Sequence, residues 1–80
     1  MSEVRIPSDG QHVFPAGQLD ENLELENRHN VAGSVLYQIA TRPVVTINMT
    51  PNEEYRVQGI NGQQLTVTNH LPNSLYCRWG

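Results

Sequence analysis

The chain has 80 residues, with five basic and eight acidic side chains and a formal net charge of −3. All five basic residues are arginines, and they are scattered along the sequence. Binding to nucleic acid or to anionic lipid needs a clustered basic surface, so this composition excludes both partner classes. Val, Ile, Leu and Phe supply 20 of the 80 residues, enough for one small core. We therefore expect a single domain over residues 1–80.

Targeting and redox features favour a cytoplasmic protein. The first five residues lack a basic segment followed by an apolar one, so we read no signal peptide there. No apolar run approaches the roughly 18 residues of a membrane-spanning helix. Cys77 is the single cysteine and cannot form an internal disulfide, which fits a reducing compartment. A phage or virion protein made in a cytosol fits the same facts.

Residues 1–22 contain four structure breakers: Pro7, Gly10, Pro15 and Gly17. This density predicts an irregular N-terminal arm with at most one short strand, at residues 12–14. The alternative is that the arm folds back and completes a sheet through that strand. The β core is predicted to begin at residue 23.

Alternating apolar and polar residues mark the rest of the chain as strands. The runs are 23–26, 34–40, 44–49, 55–60, 65–68 and 75–79. Asn61-Gly62 predicts a tight hairpin turn between the fourth and fifth runs, because both residues tolerate a positive φ. We expect an all-β fold: a small antiparallel β-sandwich or barrel of six to seven short strands.

The inward positions of these runs define a predicted core between two sheets, with Cys77 on the same face as Leu75. It comprises Leu23, Leu25, Val35, Tyr37, Ile39, Val45, Ile47, Val57, Leu65, Val67 and Leu75.

A weak internal repeat runs through the sequence at an offset of 42 residues. Residues 23–27 (LELEN) resemble residues 65–69 (LTVTN), and a loop and a second strand follow each segment. Two interpretations stay open. Amphipathic strands that end in Asn recur by chance, or the fold consists of two pseudo-symmetric hairpin halves.

Catalytic and metal-binding patterns do not emerge, so we predict a protein that is not an enzyme and needs no cofactor. Neither Ser34 nor Ser74 lies in a nucleophile elbow, and Cys77 falls on an apolar face where a thiol stays protonated. The three histidines have no metal-ligand spacing. His29 and His70 do follow the paired Asn27 and Asn69, which suggests related positions in two loops.

The remaining hypothesis is an interaction or assembly module, such as a phage or virion component, an inhibitor or an accessory subunit. The segment from Ser74 to Gly80 is expected to be an edge strand that self-associates through Tyr76 or Trp79, or else Trp79 closes the open end of the sandwich. The alternative is a small lectin-like protein that binds carbohydrate through Asn and His loops and an aromatic side chain. The candidate interaction surface comprises Tyr76, Arg78, Trp79, Asn27, Arg28, His29, Asn69 and His70.

Overall fold

The computed structural model describes residues 2–80, which form eight strands and no helix. The strands are β1 (Ser2–Ile6), β2 (Gln11–Phe14), β3 (Leu23–Glu26), β4 (Gly33–Ile39), β5 (Val45–Met49), β6 (Glu54–Val57), β7 (Leu65–His70) and β8 (Leu75–Trp79). Within this described part of the chain, no helix is long and apolar enough to cross a membrane.

The strands form two antiparallel sheets of four. Sheet A has the order β1-β8-β3-β6, and sheet B has the order β2-β7-β4-β5. Every neighbouring pair is antiparallel, and only β4 and β5 are also neighbours in sequence. The all-β class is therefore confirmed, with eight strands rather than six to seven and with no closed barrel.

The N-terminal segment predicted to be irregular contributes two strands. β1 pairs with β8 from Ser2 opposite Trp79 to Ile6 opposite Leu75, and β2 pairs with β7. The breakers do not prevent these strands but build the turn between them. The Gly10 N–H donates to the Pro7 carbonyl at 2.9 Å, and Asp9 takes a φ of 60°.

The position of β8 contradicts the expected C-terminal edge strand. β8 lies between β1 and β3, so both of its backbone edges are paired. The edge strands are instead β1 and β6 in sheet A, and β2 and β5 in sheet B. The prediction of self-association through the backbone of β8 is therefore wrong. The sequence pattern identified this strand but did not show that residues 2–6 pair with it.

The Asn61-Gly62 turn has the predicted backbone but a different role. Asn61 and Gly62 have φ values of 49° and 71°, as a primed turn requires. The strands on either side lie in different sheets, however, and the Gly62 N–H donates to the Asp20 carbonyl. The turn crosses between the sheets, and the predicted hairpin is wrong.

One buried core lies between the sheets. Eight predicted members are buried, namely Leu23, Leu25, Val35, Ile39, Val57, Leu65, Val67 and Leu75. Tyr37 and Ile47 are half-buried, while Val45 is 39% exposed because β5 is an edge strand. Further core residues come from β1, β2, β5, β8 and the loops: Ile6, Phe14, Met49, Cys77, Leu19, Ile60 and Leu71.

The two sheets are related in strand order. Shifting each strand number by four converts the order of sheet A into that of sheet B, with β1 corresponding to β5 and β8 to β4. The β1–β2 turn and the β5–β6 turn also contain the same hydrogen bond. The Gly10 N–H donates to the Pro7 carbonyl in the first, and the Glu53 N–H donates to the Thr50 carbonyl in the second. The pairing of the two central strands differs by two residues between the sheets. At the sequence offset of 42, Glu24 corresponds to Thr66 and Arg78 to Leu36. Glu24 lies opposite Arg78 in sheet A, but in sheet B Leu36 lies opposite Thr68 and not opposite Thr66.

We expect Val67→Asp to lower the free energy of unfolding by about 3–5 kcal/mol, because Val67 is fully buried and the carboxylate would have no partner. The matched control is Val13→Asp on the adjacent strand, where the valine is 46% exposed. Thermal unfolding followed by circular dichroism compares the two variants. Equal melting temperatures would contradict the assigned core.

Candidate functional site

Two buried asparagines hold the sheets together. The Asn69 carboxamide donates to the carbonyls of Ile6, Pro7 and Asn73 at 2.9–3.1 Å and accepts the Leu71 N–H at 2.8 Å. It thereby joins the end of a sheet B strand to the β1–β2 turn and to the loop that leads into β8. Every polar atom of this fully buried side chain is used.

Asn27 repeats this arrangement in the other half of the chain. Its carboxamide donates to the Val31 and Thr50 carbonyls at 2.8 and 3.1 Å and accepts the His29 N–H at 3.2 Å. Asn27 and Asn69 are 1% and 0% exposed, so neither side chain is part of the surface on which it was predicted. Their roles are structural: each amide bonds backbone groups of a following loop and of a distant turn, and for Asn69 these include the buried Ile6 carbonyl and Leu71 N–H.

The two histidines do not occupy related positions. The residue that stands two places after Asn69, as His29 stands after Asn27, is Leu71. His70 is exposed and its Nδ1 lies 3.6 Å from Asp9 Oδ1. Among residues 2–80, no three His, Cys, Asp or Glu side chains are grouped so that they could hold a metal ion.

The outer face of sheet A is a network of ion pairs. Arg78 Nη2 lies 3.0 Å from Glu54 Oε1 and 3.3 Å from Glu24 Oε2, and Arg56 Nη2 lies 2.9 Å from Glu24 Oε1. The hydrogen bond from Arg56, with the charges of Arg56 and Arg78, lowers the pKa of Glu24. Glu24, Glu54, Arg56 and Arg78 therefore already have charged partners within the chain.

Arg28 and Tyr76 belong to the same network. The Arg28 guanidinium lies 3.9 Å from the centre of the Tyr76 ring and bonds Glu26 at 2.9 Å and Glu3 at 2.6 Å. These two carboxylates raise the pKa of Arg28. Because the guanidinium covers one face of the ring, Tyr76 does not offer that face to a ligand.

Trp79 faces the other way, toward the core. It is half-buried, and its ring meets Phe14 edge to face with ring centroids 5.3 Å apart. Phe14 in turn contacts His12, and together these rings close the side of the molecule between β1 and β2. Beside Trp79 lies a shallow depression of about 250 Å³ lined by Asn22, Glu24, Arg56, Arg78, Trp79 and Gly80.

Cys77 is fully buried, and burial raises the pKa of its thiol to about 12. A thiol with this pKa is protonated at neutral pH and has little nucleophilic character. Its position supports the predicted packing role on the inner face of β8.

Sheet B differs from sheet A in having no charged strand residue. The four strands of sheet B contain no Asp, Glu, Lys or Arg. Those of sheet A contain seven such residues: Glu3, Arg5, Glu24, Glu26, Glu54, Arg56 and Arg78. The outer face of sheet B consists of hydroxyl, amide and aliphatic side chains, with His70 at one strand end.

The β5 edge of sheet B exposes apolar side chains. Val44 and Val45 are 54% and 39% exposed, and residues 43–52 contain no charge. A groove of about 400 Å³ runs beside this edge and is lined by Tyr37, Ile39, Arg42, Pro43, Val45 and Gln58. The groove lies on the side of the molecule closed by Tyr37 and Tyr55, whose ring centroids are 6.4 Å apart.

The predicted interaction residues thus separate into different environments. Arg28, Tyr76 and Arg78 lie together on sheet A, Asn27 and Asn69 are buried, and the other three lie apart. Sequence reasoning missed the β5 edge, although the uncharged stretch at residues 43–52 was a readable signal. Comparison of the chain with protein-family models, with curated proteins and with solved structures found no match.

We expect Asn69→Ala to lower the free energy of unfolding by about 2–4 kcal/mol, because several buried backbone groups lose their partner. The control is Asn22→Ala, where the asparagine is exposed. Urea denaturation measures both variants. A loss of less than about 0.5 kcal/mol for Asn69→Ala would contradict the proposed link between the sheets.

The lowered pKa of Glu24 predicts a pH-dependent contribution to stability. A carboxyl with a folded-state pKa below its usual 4.5 stabilises the fold above that pH. This contribution is lost as the pH falls through the folded-state pKa. The melting temperature of Glu24→Gln should therefore lie below that of the wild type at pH 7, and the difference should shrink in acid.

Differential scanning calorimetry between pH 7 and about pH 3 measures this difference. Asp20→Asn, at an exposed loop position, is the control. A difference that stays constant with pH would show that Glu24 acts through its shape and not its charge.

Proposed function

We propose that this chain is a non-enzymatic protein-interaction module whose binding surface is sheet B, including the β5 edge. The observation that carries the proposal is the absence of charge from all four strands of that sheet. Cores of protein–protein interfaces are depleted in charged residues, whereas an ordinary solvated sheet face carries many.

The contrast with sheet A supports this assignment. Both sheets belong to the same fold and both have an outer face, so the fold itself does not require one to be neutral. On sheet A, Arg78 and Arg56 form internal ion pairs with Glu24 and Glu54. A partner binding to sheet A would have to desolvate these groups, whereas a partner binding to sheet B would not.

We also propose a finer description of the fold, a β-sandwich of two pseudo-symmetric halves. The matched strand orders and the two asparagine arrangements support it. In this description the sheets began as equivalent surfaces. Charged residues are present in the strands of sheet A and absent from those of sheet B, which indicates that the two surfaces have different functions.

A non-enzymatic role is supported by the state of the reactive groups. The Cys77 thiol is buried with a raised pKa, and Glu24 is held ionised by two arginines. Neither group is poised for proton transfer or nucleophilic attack near neutral pH.

Carbohydrate binding is the second candidate, and the depression beside Trp79 favours it. This depression brings an indole together with the Asn22 amide and the Glu24 carboxylate, which are side chains that sugars use. The candidate is weaker because Trp79 packs edge-on against Phe14 and because Glu24 is already bonded to Arg56.

The test introduces into sheet B an ion pair like the one between Arg78 and Glu24 on sheet A. Leu36 and Thr68 are cross-strand partners on the outer face of sheet B, as Arg78 and Glu24 are on sheet A. We expect Leu36→Arg with Thr68→Glu to leave the net charge and the fold unchanged and to abolish capture of a partner protein from cytosolic extract.

The control is Arg5→Glu, which reverses an exposed charge on sheet A and should leave capture intact. Bound proteins are identified by mass spectrometry at physiological salt. Capture that survives the sheet B variant would contradict the proposal. Binding to a glycan array that Trp79→Ala abolishes would instead establish the second candidate.

A further inference from the structure

We propose that the partner of the β5 edge is a second copy of this chain. Two β5 strands pair antiparallel about a twofold axis at Ile47, and the two copies of sheet B become one continuous sheet of eight strands. This inference rests on the proposed function, and it names one partner for the same surface.

The four edge strands differ in how they are protected. In sheet A, β1 carries Glu3, which is paired with Arg28, and β6 carries Arg56, which is paired with Glu24. In sheet B, β2 has only four residues and is followed directly by Pro15, which has no N–H. Charges, short length and proline are the usual means of preventing edge-to-edge pairing.

β5 is the longer edge strand of sheet B, and its flanking prolines, Pro43 and Pro51, are each separated from the strand by one residue. Its five residues are uncharged, and β-branched residues occupy positions 44–47. Such an edge presents unpaired backbone groups with no side chain to repel a second strand. It is therefore the edge most suited to accept one.

The side chains of β5 are self-complementary when the pairing is centred on Ile47. Val45 then lies opposite Met49 of the second copy, and Ile47 lies opposite its own counterpart, all on the inner face. Thr46 lies opposite Asn48 of the second copy on the outer face, a hydroxyl against an amide. This is the single antiparallel register that pairs all five strand residues, and none of the paired residues is charged.

The exposed apolar surface also lies where the second copy would cover it. Val45, which is 39% exposed, lies at one end of the pairing and lines the groove beside Tyr37. The contact is confined to one strand and the rim of this groove, so it belongs to the small interfaces below about 1,200 Å². We therefore expect a dimer that dissociates on dilution.

The experiment measures mass by light scattering after size exclusion, from about 10 μM to about 1 mM chain, with reducing agent present. The wild type should shift from 9.0 kDa toward twice that mass as the concentration rises. Hydrogen exchange should show amides of Val45–Met49 gaining protection over the same range.

Two charge variants test the register. Thr46→Lys with Asn48→Lys places two pairs of like charges opposite each other across the twofold axis, and should remain monomeric. Thr46→Lys with Asn48→Glu places opposite charges there, and should dimerise as the wild type does. Both positions are exposed, so the monomer tolerates the changes, and Gln11→Lys with Val13→Lys on the β2 edge is the control of equal charge.

A wild type that stays at 9.0 kDa over the whole range, without gain of protection in β5, would overturn the inference. A dimer that persists in the two-lysine variant, or that the Lys/Glu variant fails to form, would overturn it as well. In either case the proposed function is judged separately, because capture of another protein and its loss in the Leu36→Arg, Thr68→Glu variant do not depend on dimerisation.

Discussion

The fold depends on two buried carboxamides that connect backbone groups of different sheets. Asn69 bonds the turn between β1 and β2, and Asn27 bonds the turn between β5 and β6. A carboxamide offers two donor hydrogens and an acceptor in one plane. One side chain can therefore bond backbone groups both of the loop that follows its own strand and of a distant turn. Without Asn69, the buried Ile6 carbonyl and the buried Leu71 N–H would lose this side-chain partner. The asparagines therefore set the relative position of the sheets, and the exposed faces follow from that position.

The two exposed faces differ in their charged residues. On sheet A, one row across the strands alternates in charge, in the order Glu3, Arg78, Glu24 and Arg56, and Arg78 and Glu24 form an ion pair. Such pairs contribute little to stability but keep a face soluble and discourage contact with other proteins. Sheet B keeps only uncharged groups, and its β5 edge exposes Val44 and Val45. One face is therefore charged and paired within the chain, and the other is uncharged.

Local patterns in the sequence predicted local structure and failed on strand pairing. Alternation placed β3 correctly at Leu23–Glu26, and the positive φ values of Asn61 and Gly62 follow from their chemistry. Pairing was not readable, because all but one of the strand pairs join segments distant in sequence. Asn69 was predicted to lie on the interaction surface, because two of its three carbonyl partners, Ile6 and Pro7, lie more than 60 positions away. The sequence offset of 42 did align it with Asn27, and both have the same structural role.

The pairing of β1 with β8 has a consequence for how the protein is made. Ser2 lies opposite Trp79, and each sheet takes two strands from the first half of the chain and two from the second. A ribosome releases residues in order, so sheet B cannot be completed before β7 emerges from the exit tunnel, nor sheet A before β8 emerges. During that interval the apolar faces of β3 and β4 have no permanent cover, and they depend on transient contacts or on chaperones. Completion of the fold therefore waits for the last two strands, and long-range β pairing of this kind also makes it slow.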